Sequence, residues 1–478
     1  MHEVQQAPHR ADRYERPNDL AEALELLAEY GPGARILAGG SDLLLEMQRR
    51  VRTDFAVLVD ITGIAGLNTI AESDGRIEIG PLVTHNQAVA SPLITGGGLP
   101  LAQACWEVGS PQLRNRSTIA GNLVTASPAN DTISALWALD ATVELSSMLG
   151  VRPVRLREFY TGVRTTVIEP DELLTKISFP ALGDDSVGVF VKLGLRRAQA
   201  ISVVHAAMIV TRRDDEVVAA SIALGSVAPT IVSAPAAEAI LVGSRLDSDT
   251  ISAAALAAAG GVTPIDDLRA TADYRADGVV VAVERGLRAI ANSAARLEWP
   301  LEPVLIGPEG GLLSGGGAVD TLVPGDTIAM RVNGATVSGE TRPDETLLDW
   351  LRIQGLTGTK EGCAEGECGA CTVWIDEAAV MACLVAAPAA AGSTVVTIEG
   401  LAPSPDDLHP VQQAFIDHGA VQCGFCIPGI LMAAARLVED TAAPTRDDVT
   451  LALSGNLCRC TGYYKIIDAV MDAAGVTK

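Results

Sequence analysis

The stretch Cys363-Ala364-Glu365-Gly366-Glu367-Cys368-Gly369-Ala370-Cys371, with Cys383 downstream, restricts what this chain can fold into more than any other. C-x4-C-x2-C followed by a fourth Cys is the spacing of plant-type [2Fe–2S] sites, where four thiolates share two irons. A short loop presents three of them and the next strand is expected to supply the last. Glycines suit a loop that must wrap inorganic sulfide, because positive φ angles turn backbone N–H groups inward. Structural zinc usually takes two C-x2-4-C pairs and needs less glycine. Disulfides do not fit a chain of this size without a secretory leader.

At 478 residues the chain exceeds one core, so three or four domains are expected. Hydrophobic residues make up 48% and aromatics only 4%, a globular composition rich in Ala, Leu and Val. No apolar run reaches the ~18 residues that span a bilayer. Met1 to Pro17 is polar, with no apolar signal core and no twin-arginine pair, so the cytoplasm is the expected compartment. A net charge of −24 argues against nucleic acid or an anionic membrane as partner. It leaves room for nucleotide phosphates held by backbone N–H groups. Of nine cysteines only Cys105 precedes residue 360, so two different modules share the polypeptide. Cys105, beside Trp106, reads as a small buried hydrophobe.

From residue 13 the pattern is helix (capped at Asn18-Asp19, stopped by Gly31 and Gly33), strand, turn, helix, strand. The first turn, in Ile36-Leu37-Ala38-Gly39-Gly40-Ser41-Asp42-Leu43, is rich in small residues. A second is expected over Ser117-Thr118-Ile119-Ala120-Gly121-Asn122, ahead of Ala129-Asn130-Asp131. Close backbone approach and N–H donors are what a pyrophosphate needs, although each turn alone also reads as an ordinary tight turn. Neither G-x-G-x-x-G nor G-x-x-x-x-G-K-[ST] occurs. Strands are expected at 142–145, 174–179, 187–195, 201–210 and 217–224, and helices at 234–241, 251–259 and 277–291. Lys192, Arg196 and Arg197 form a basic group in an acidic chain, either a solvated face or a contact for a cofactor phosphate. Residues 293–325, with Pro300, Pro303, Pro308 and Gly315-Gly316-Gly317, read as a flexible or semi-extended tether.

Beyond the tether, alternation at Ile328, Met330 and Val332 ends in Asn333-Gly334, a hairpin signal. Strand, hairpin, helix (344–354), cysteine loop and strand is a β-grasp order. After Leu401 the periodicity is helical, with candidates at 409–418, 428–438, 446–453 and 463–473. Between them stand Cys423-Gly424-Phe425-Cys426 and Cys458-Arg459-Cys460, four thiols that suggest a second [2Fe–2S] cluster. From spacing alone, zinc or a redox pair competes for the C-x2-C half.

Gly362–Thr372 with Cys383, Gln422–Gly429 and Ser454–Tyr463 closely resemble the iron–sulfur part of the xanthine oxidase, or molybdenum hydroxylase, family. Residues 13–290 resemble that family's FAD-binding subunit, as in the medium subunit of carbon monoxide dehydrogenase. The resemblance implies an α+β multidomain chain. Residues 13–183 would be a vanillyl-alcohol-oxidase-like FAD-binding domain of two α+β lobes, and 184–292 a flavoprotein C-terminal domain. Across the 293–325 linker follow a β-grasp ferredoxin domain (326–400) and a four-helix [2Fe–2S] domain (401–478).

It further implies FAD contacts at Ile36, Leu37, Ala38, Gly39, Gly40, Ser41, Asp42, Leu43, Thr118, Gly121, Asn122, Asp131, Leu174 and Lys192. Cys423, Cys426, Cys458 and Cys460 would hold the cluster nearer molybdenum; Cys363, Cys368, Cys371 and Cys383 would hold the one nearer the flavin. The order flavin, linker, iron–sulfur differs from the animal xanthine dehydrogenases, and no molybdopterin-binding portion is expected in this sequence. The implied function is electron transfer from a large molybdopterin-binding partner, through both clusters to FAD, and on to NAD+ or another acceptor, in a dimer of heterodimers. Two one-electron carriers feeding a two-electron flavin is the reason for such a set. A self-sufficient flavin reductase using NAD(P)H is the alternative, and a colourless zinc scaffold a third reading.

Overall fold

In the computed structural model, residues 11–475 are described apart from 298, 312–318, 403 and 405. The glycine run Gly315–Gly317 lies outside them. The chain forms two compact units: one takes residues up to Leu67, Gly109–Ser117 and the chain from Val304 onward, the other Asn68–Val108 and Thr118–Pro303.

The first unit begins with a βαβ element. Helix Leu20–Tyr30, capped by the Asp19 carboxylate accepting from Glu22 N–H, links strand Arg13–Glu15 to strand Ala34–Leu37. Both lie parallel to Val57–Asp60 between them, with Tyr14 opposite Leu58 and Ile36 opposite Val59. Val57–Asp60 is buried at all four positions, as expected of a central parallel strand covered on both faces. All three strands end on the same edge, where ligands of open α/β sheets collect.

A second sheet of this unit runs in the order 335–340, 327–332, 394–396, 372–375, 378–381. Asn333 and Gly334 have φ of 51° and 82°, the two positive angles of a type I′ hairpin. The two sheets share one apolar core: Tyr14, Leu37, Leu44, Met47 and Leu58 pack in the same cluster as Met330, Trp350, Val373 and Val395. Four helices follow, Pro410–Asp417, Ile427–Asp440, Arg446–Ala452 and Tyr464–Ala473. The Trp374 indole ties them to the sheet by donating to the Met432 carbonyl at 2.8 Å.

The tether behaves differently from a free one. Val304, Leu305 and Ile306 are buried, the Ala379 N–H donates to Ile306 O, and Thr321–Leu322 pairs antiparallel with Arg13–Glu15. Prolines and glycines removed the periodicity that would have signalled this, since a segment can be extended and packed without being amphipathic.

The second unit holds an antiparallel five-stranded sheet (order 70–73, 76–79, 173–180, 142–147, 150–155) and an antiparallel four-stranded one (186–194, 202–213, 216–225, 232–233). Helix Ala272–Ala291 lies on the latter. A Cβ at Gly286 would come within 2.1 Å of Met208 Cε, so glycine permits that close packing. The expected small-residue turn at 117–122 is instead the start of a helix. Thr118 caps Ile119–Thr125 by accepting from Gly121 N–H, which places Gly121 and Asn122 inside the first turn.

Candidate functional site: two cysteine centres and a glycine turn

The first cysteine centre lies in the loop that leads from helix Leu347–Ile353 to strand Thr372–Ile375. Ala364, Gly366 and Gly369 take φ of 57°, 73° and 65°, which coils the loop and turns its amides inward. Glu365 N–H and Glu367 N–H point at Cys363 Sγ (3.3 and 3.2 Å), and Cys363 N–H at Cys368 Sγ (3.3 Å). The fourth thiol comes one step later than expected: Cys383 sits in the short 3-10 turn Ala382–Leu384 that follows strand Ala378–Met381, buried like Cys371.

A hydrogen bond from Cys368 holds the Cys363 thiol down at about 5, and one from Cys383 lowers Cys371; the donating thiols are pushed up. Among the described residues no three His, Cys, Asp or Glu side chains close on a single ion. Four thiols, with backbone amides aimed at Cys363 and Cys368, fit the chemistry of a two-iron cluster, which takes four cysteine sulfurs.

The second centre is built the same way from helix ends. Cys423 and Cys426 precede helix Ile427–Asp440, with Gly424 at φ 85°; Cys458 and Cys460 precede helix Tyr464–Ala473. The Phe425 N–H, then a hydrogen bond from Cys460, lowers Cys423, whereas burial, then Cys458, pushes Cys426 up to about 12. Cys423 and Cys460 are exposed, as are the neighbouring side chains Phe425 and Leu457.

The glycine turn Ala38–Asp42 runs from strand Ala34–Leu37 into helix Leu43–Gln48, on the edge where the three parallel strands end. Gly40 has φ 81°, and a Cβ at Gly39 would lie 2.2 Å from the Arg116 carbonyl oxygen, so neither position accepts a side chain. A Cβ at Gly40 would stand 3.4 Å from Leu384 O, beside Cys383. Arg49, just after the helix, pairs with Glu365 in the cysteine loop at 2.6 Å.

In the second unit Asp131 opens helix Asp131–Ala138 and takes the Lys192 ammonium at 2.7 Å, both side chains nearly fully buried. Ser202 donates to the other carboxylate oxygen at 2.5 Å, and Lys192 also donates to Glu107 O at 2.9 Å. Leu174 is buried on strand Leu173–Pro180. Asn122 accepts from Thr132 Oγ1. The basic group does not assemble: Lys192 points into this network, while Arg196 and Arg197 lie past the strand end at Gly194 and are exposed.

Several contacts had no reading in the sequence. Tyr14 OH donates to Asp60 at 2.5 Å on the strand edge, with the buried guanidiniums of Arg16 and Arg116 close by. Gln112 and Asn456 join across the first unit at 2.8 Å. These last two stand 344 residues apart, a link that no local pattern announces.

Two four-cysteine sets of [2Fe–2S] type define an iron–sulfur protein. Four family descriptions match in succession: FAD binding domain in molybdopterin dehydrogenase over 8–182, CO dehydrogenase flavoprotein C-terminal domain over 190–290, 2Fe-2S iron-sulfur cluster binding domain over 330–394, and [2Fe-2S] binding domain over 397–471. The chain is 49% identical over 147 residues to the nicotinate dehydrogenase small FeS subunit of Eubacterium barkeri, covering 30% of this chain and 92% of that one. It is 33% identical over 274 residues to the carbon monoxide dehydrogenase medium chain of Afipia carboxidovorans, covering 57% and 94%. A chain of carbon monoxide dehydrogenase from Hydrogenophaga pseudoflava superposes with a TM-score of 0.58 at 32% identity, over 61% of this chain and all of the other. This chain belongs to the molybdenum hydroxylase family, with FAD and two [2Fe–2S] clusters as its cofactors.

Proposed function

We propose that this chain carries electrons from a large molybdopterin-binding subunit to FAD and on to NAD+ or another acceptor. It would combine in one polypeptide the roles of a medium flavin chain and a small iron–sulfur chain. The observation that carries the reading is a series of touching segments in the first unit. The Leu457 N–H, beside Cys458, donates to Cys368 O at 2.9 Å, and the Leu384 carbonyl, beside Cys383, would stand 3.4 Å from a Cβ at Gly40 in the glycine turn. Bound clusters supply one-electron steps and bound flavin gathers two electrons.

The chain's residues set the order of that series. Exposed Cys423 and Cys460, with Phe425 and Leu457 around them, offer an accessible face where electrons enter. At the other centre Cys371 and Cys383 are buried, with Cys383 next to the residue that meets the glycine turn, while Cys363 and Cys368 are half-buried. Ile36 through Leu43 would hold flavin phosphate with backbone amides, and Thr118, Gly121, Asn122, Asp131, Leu174 and Lys192 are proposed as further contacts. A dimer of such heterodimers in the cytoplasm is the assembly this reading carries with it.

The test is co-purification of the chain from its native source. Expected are a molybdenum-containing large subunit, iron matched by acid-labile sulfide, and FAD. A chain that leaves its native source with no molybdenum protein, and turns over NADH with a dye by itself, would replace this reading by a self-sufficient reductase.

A further inference from the structure

The loops of the two cysteine centres meet through backbone, and the meeting is built with care. Gly369 stands between Cys368 and Cys371, and a Cβ there would come within 2.3 Å of Gly455 O; a Cβ at Gly429 would come within 2.1 Å of Gly369 O. Glycine at these positions lets the loops approach until the Leu457 N–H reaches Cys368 O at 2.9 Å. Asn456, 1% exposed, lies next to Leu457 and donates from Nδ2 to Gly369 O (3.0 Å) and Thr372 Oγ1 (3.3 Å). Its Oδ1 accepts from Gln112 Nε2 at 2.8 Å, and Gln112, fully buried, also donates to Ala452 O at 3.3 Å. On the other side of Leu457, Cys458 N–H donates to Tyr463 OH at 2.7 Å, which in turn donates to Asn456 O at 3.0 Å.

We propose that the Cys368 C=O···H–N Leu457 hydrogen bond is the electron route between the two centres. Asn456 and Gln112 are the positioning residues that hold it; this rests on the electron-transfer reading above. The route leaves Cys458 Sγ, follows one peptide to Leu457, crosses that hydrogen bond, and reaches Cys368 Sγ through that residue's own backbone. Bonded and hydrogen-bonded atoms couple a donor to an acceptor better than an empty gap, so any loosening of this hydrogen bond slows transfer. One electron passes: the iron held by the Cys423 set is oxidised by one unit and that held by the Cys363 set is reduced by one. No bond forms or breaks and no proton crosses. Gln112 comes from segment Gly109–Ser117, within the part of the chain matched as flavin-binding, so that module helps set the coupling between two centres it does not ligate.

The test uses the full chain loaded with both clusters, comparing wild type with Gln112→Leu and Asn456→Ala. Iron content, the paramagnetic signal of each centre and both midpoint potentials are measured first. A single-electron pulse then follows how fast the electron redistributes between the centres. Expected are both signals with unchanged potentials and redistribution slowed about 10-fold in Asn456→Ala, in the range seen when supports behind metal ligands are removed. Gln112→Leu should slow it less. Unchanged redistribution in Gln112→Leu and in Asn456→Ala, or slowing that a shifted potential accounts for, overturns the proposal. If Asn456→Ala loses a centre, Gln112→Leu alone decides. Wild-type protein without two iron–sulfur signals overturns the electron-transfer reading itself, which is a separate result.

Discussion

Gly429→Ala sets two effects of opposite sign against each other at one atom. Gly429 stands early in helix Ile427–Asp440, where alanine would ordinarily stabilise by up to about 1 kcal/mol because glycine wastes backbone entropy. Its Cβ, however, would sit 2.1 Å from the Gly369 carbonyl oxygen and 3.1 Å from Ala370 Cα. Both are backbone atoms of the cysteine loop, so no rotamer change relieves the clash and helix or loop must move. Forcing extra volume into a packed seam costs about 1–3 kcal/mol. An obstacle of backbone belongs at the upper end of that range, so a net loss of about 2 kcal/mol is expected. The assay is denaturant unfolding followed by far-ultraviolet circular dichroism and by the visible absorbance of the clusters. Gly96→Ala is the control: Gly96 lies in helix Pro92–Gly97 with nothing within 4 Å of its Cβ, so the entropic gain should appear alone. Gly429→Ala as stable as wild type, or more stable, would refute the argument that glycine is there to bring the loops together.

Asp131→Ala strips the buried Lys192 ammonium of its partner and should cost about 3–5 kcal/mol, read as a lower unfolding midpoint together with weaker FAD retention on a desalting column. His205 is buried, with its pKa lowered to about 4, chiefly by burial. The unfolded chain therefore takes up this proton near pH 6.5 while the folded one refuses it until about 4. This site's stability is whole above pH 6.5 and is lost as pH falls through that window, by up to about 1.4 kcal/mol per pH unit. His205→Gln should flatten that part of a stability-versus-pH curve. Cys368→Ser should remove one cluster's paramagnetic signal and leave flavin bound; loss of both clusters and FAD together would show that the sites are not independent.

Elements with strong local chemistry could be read directly. The Asn333-Gly334 hairpin, the Asp19-capped helix and the four late helices all stand within a few residues of where turn residues and periodicity put them. The cysteine sets were legible because ligand spacing is dictated by the cluster and not by the fold. Burial partners were not legible. The apolar run Val57–Asp60 announces a covered strand without saying that Trp350 and Val395 lie in the same core. Nor does a Lys followed four residues later by Arg reveal that one faces a buried carboxylate while the strand ends before the other. Thr118 to Asn122 read as a turn because small polar residues serve loops and helix starts alike, and only the Thr118 cap tells them apart.

The common core beneath the first βαβ element and the β-grasp sheet bears on how such a chain can be divided. Cutting it within the 293–325 stretch, ahead of Thr321, would strip strand Arg13–Glu15 of Thr321–Leu322 and leave each fragment with raw apolar surface: Leu44, Met47 and Phe55 on one, Met330 and Leu351 on the other. Two separately made halves would have to find each other to become soluble. The covalent join therefore guarantees stoichiometry for a partnership that the side chains already enforce, and relatives built from separate chains can be expected to meet through the same greasy face.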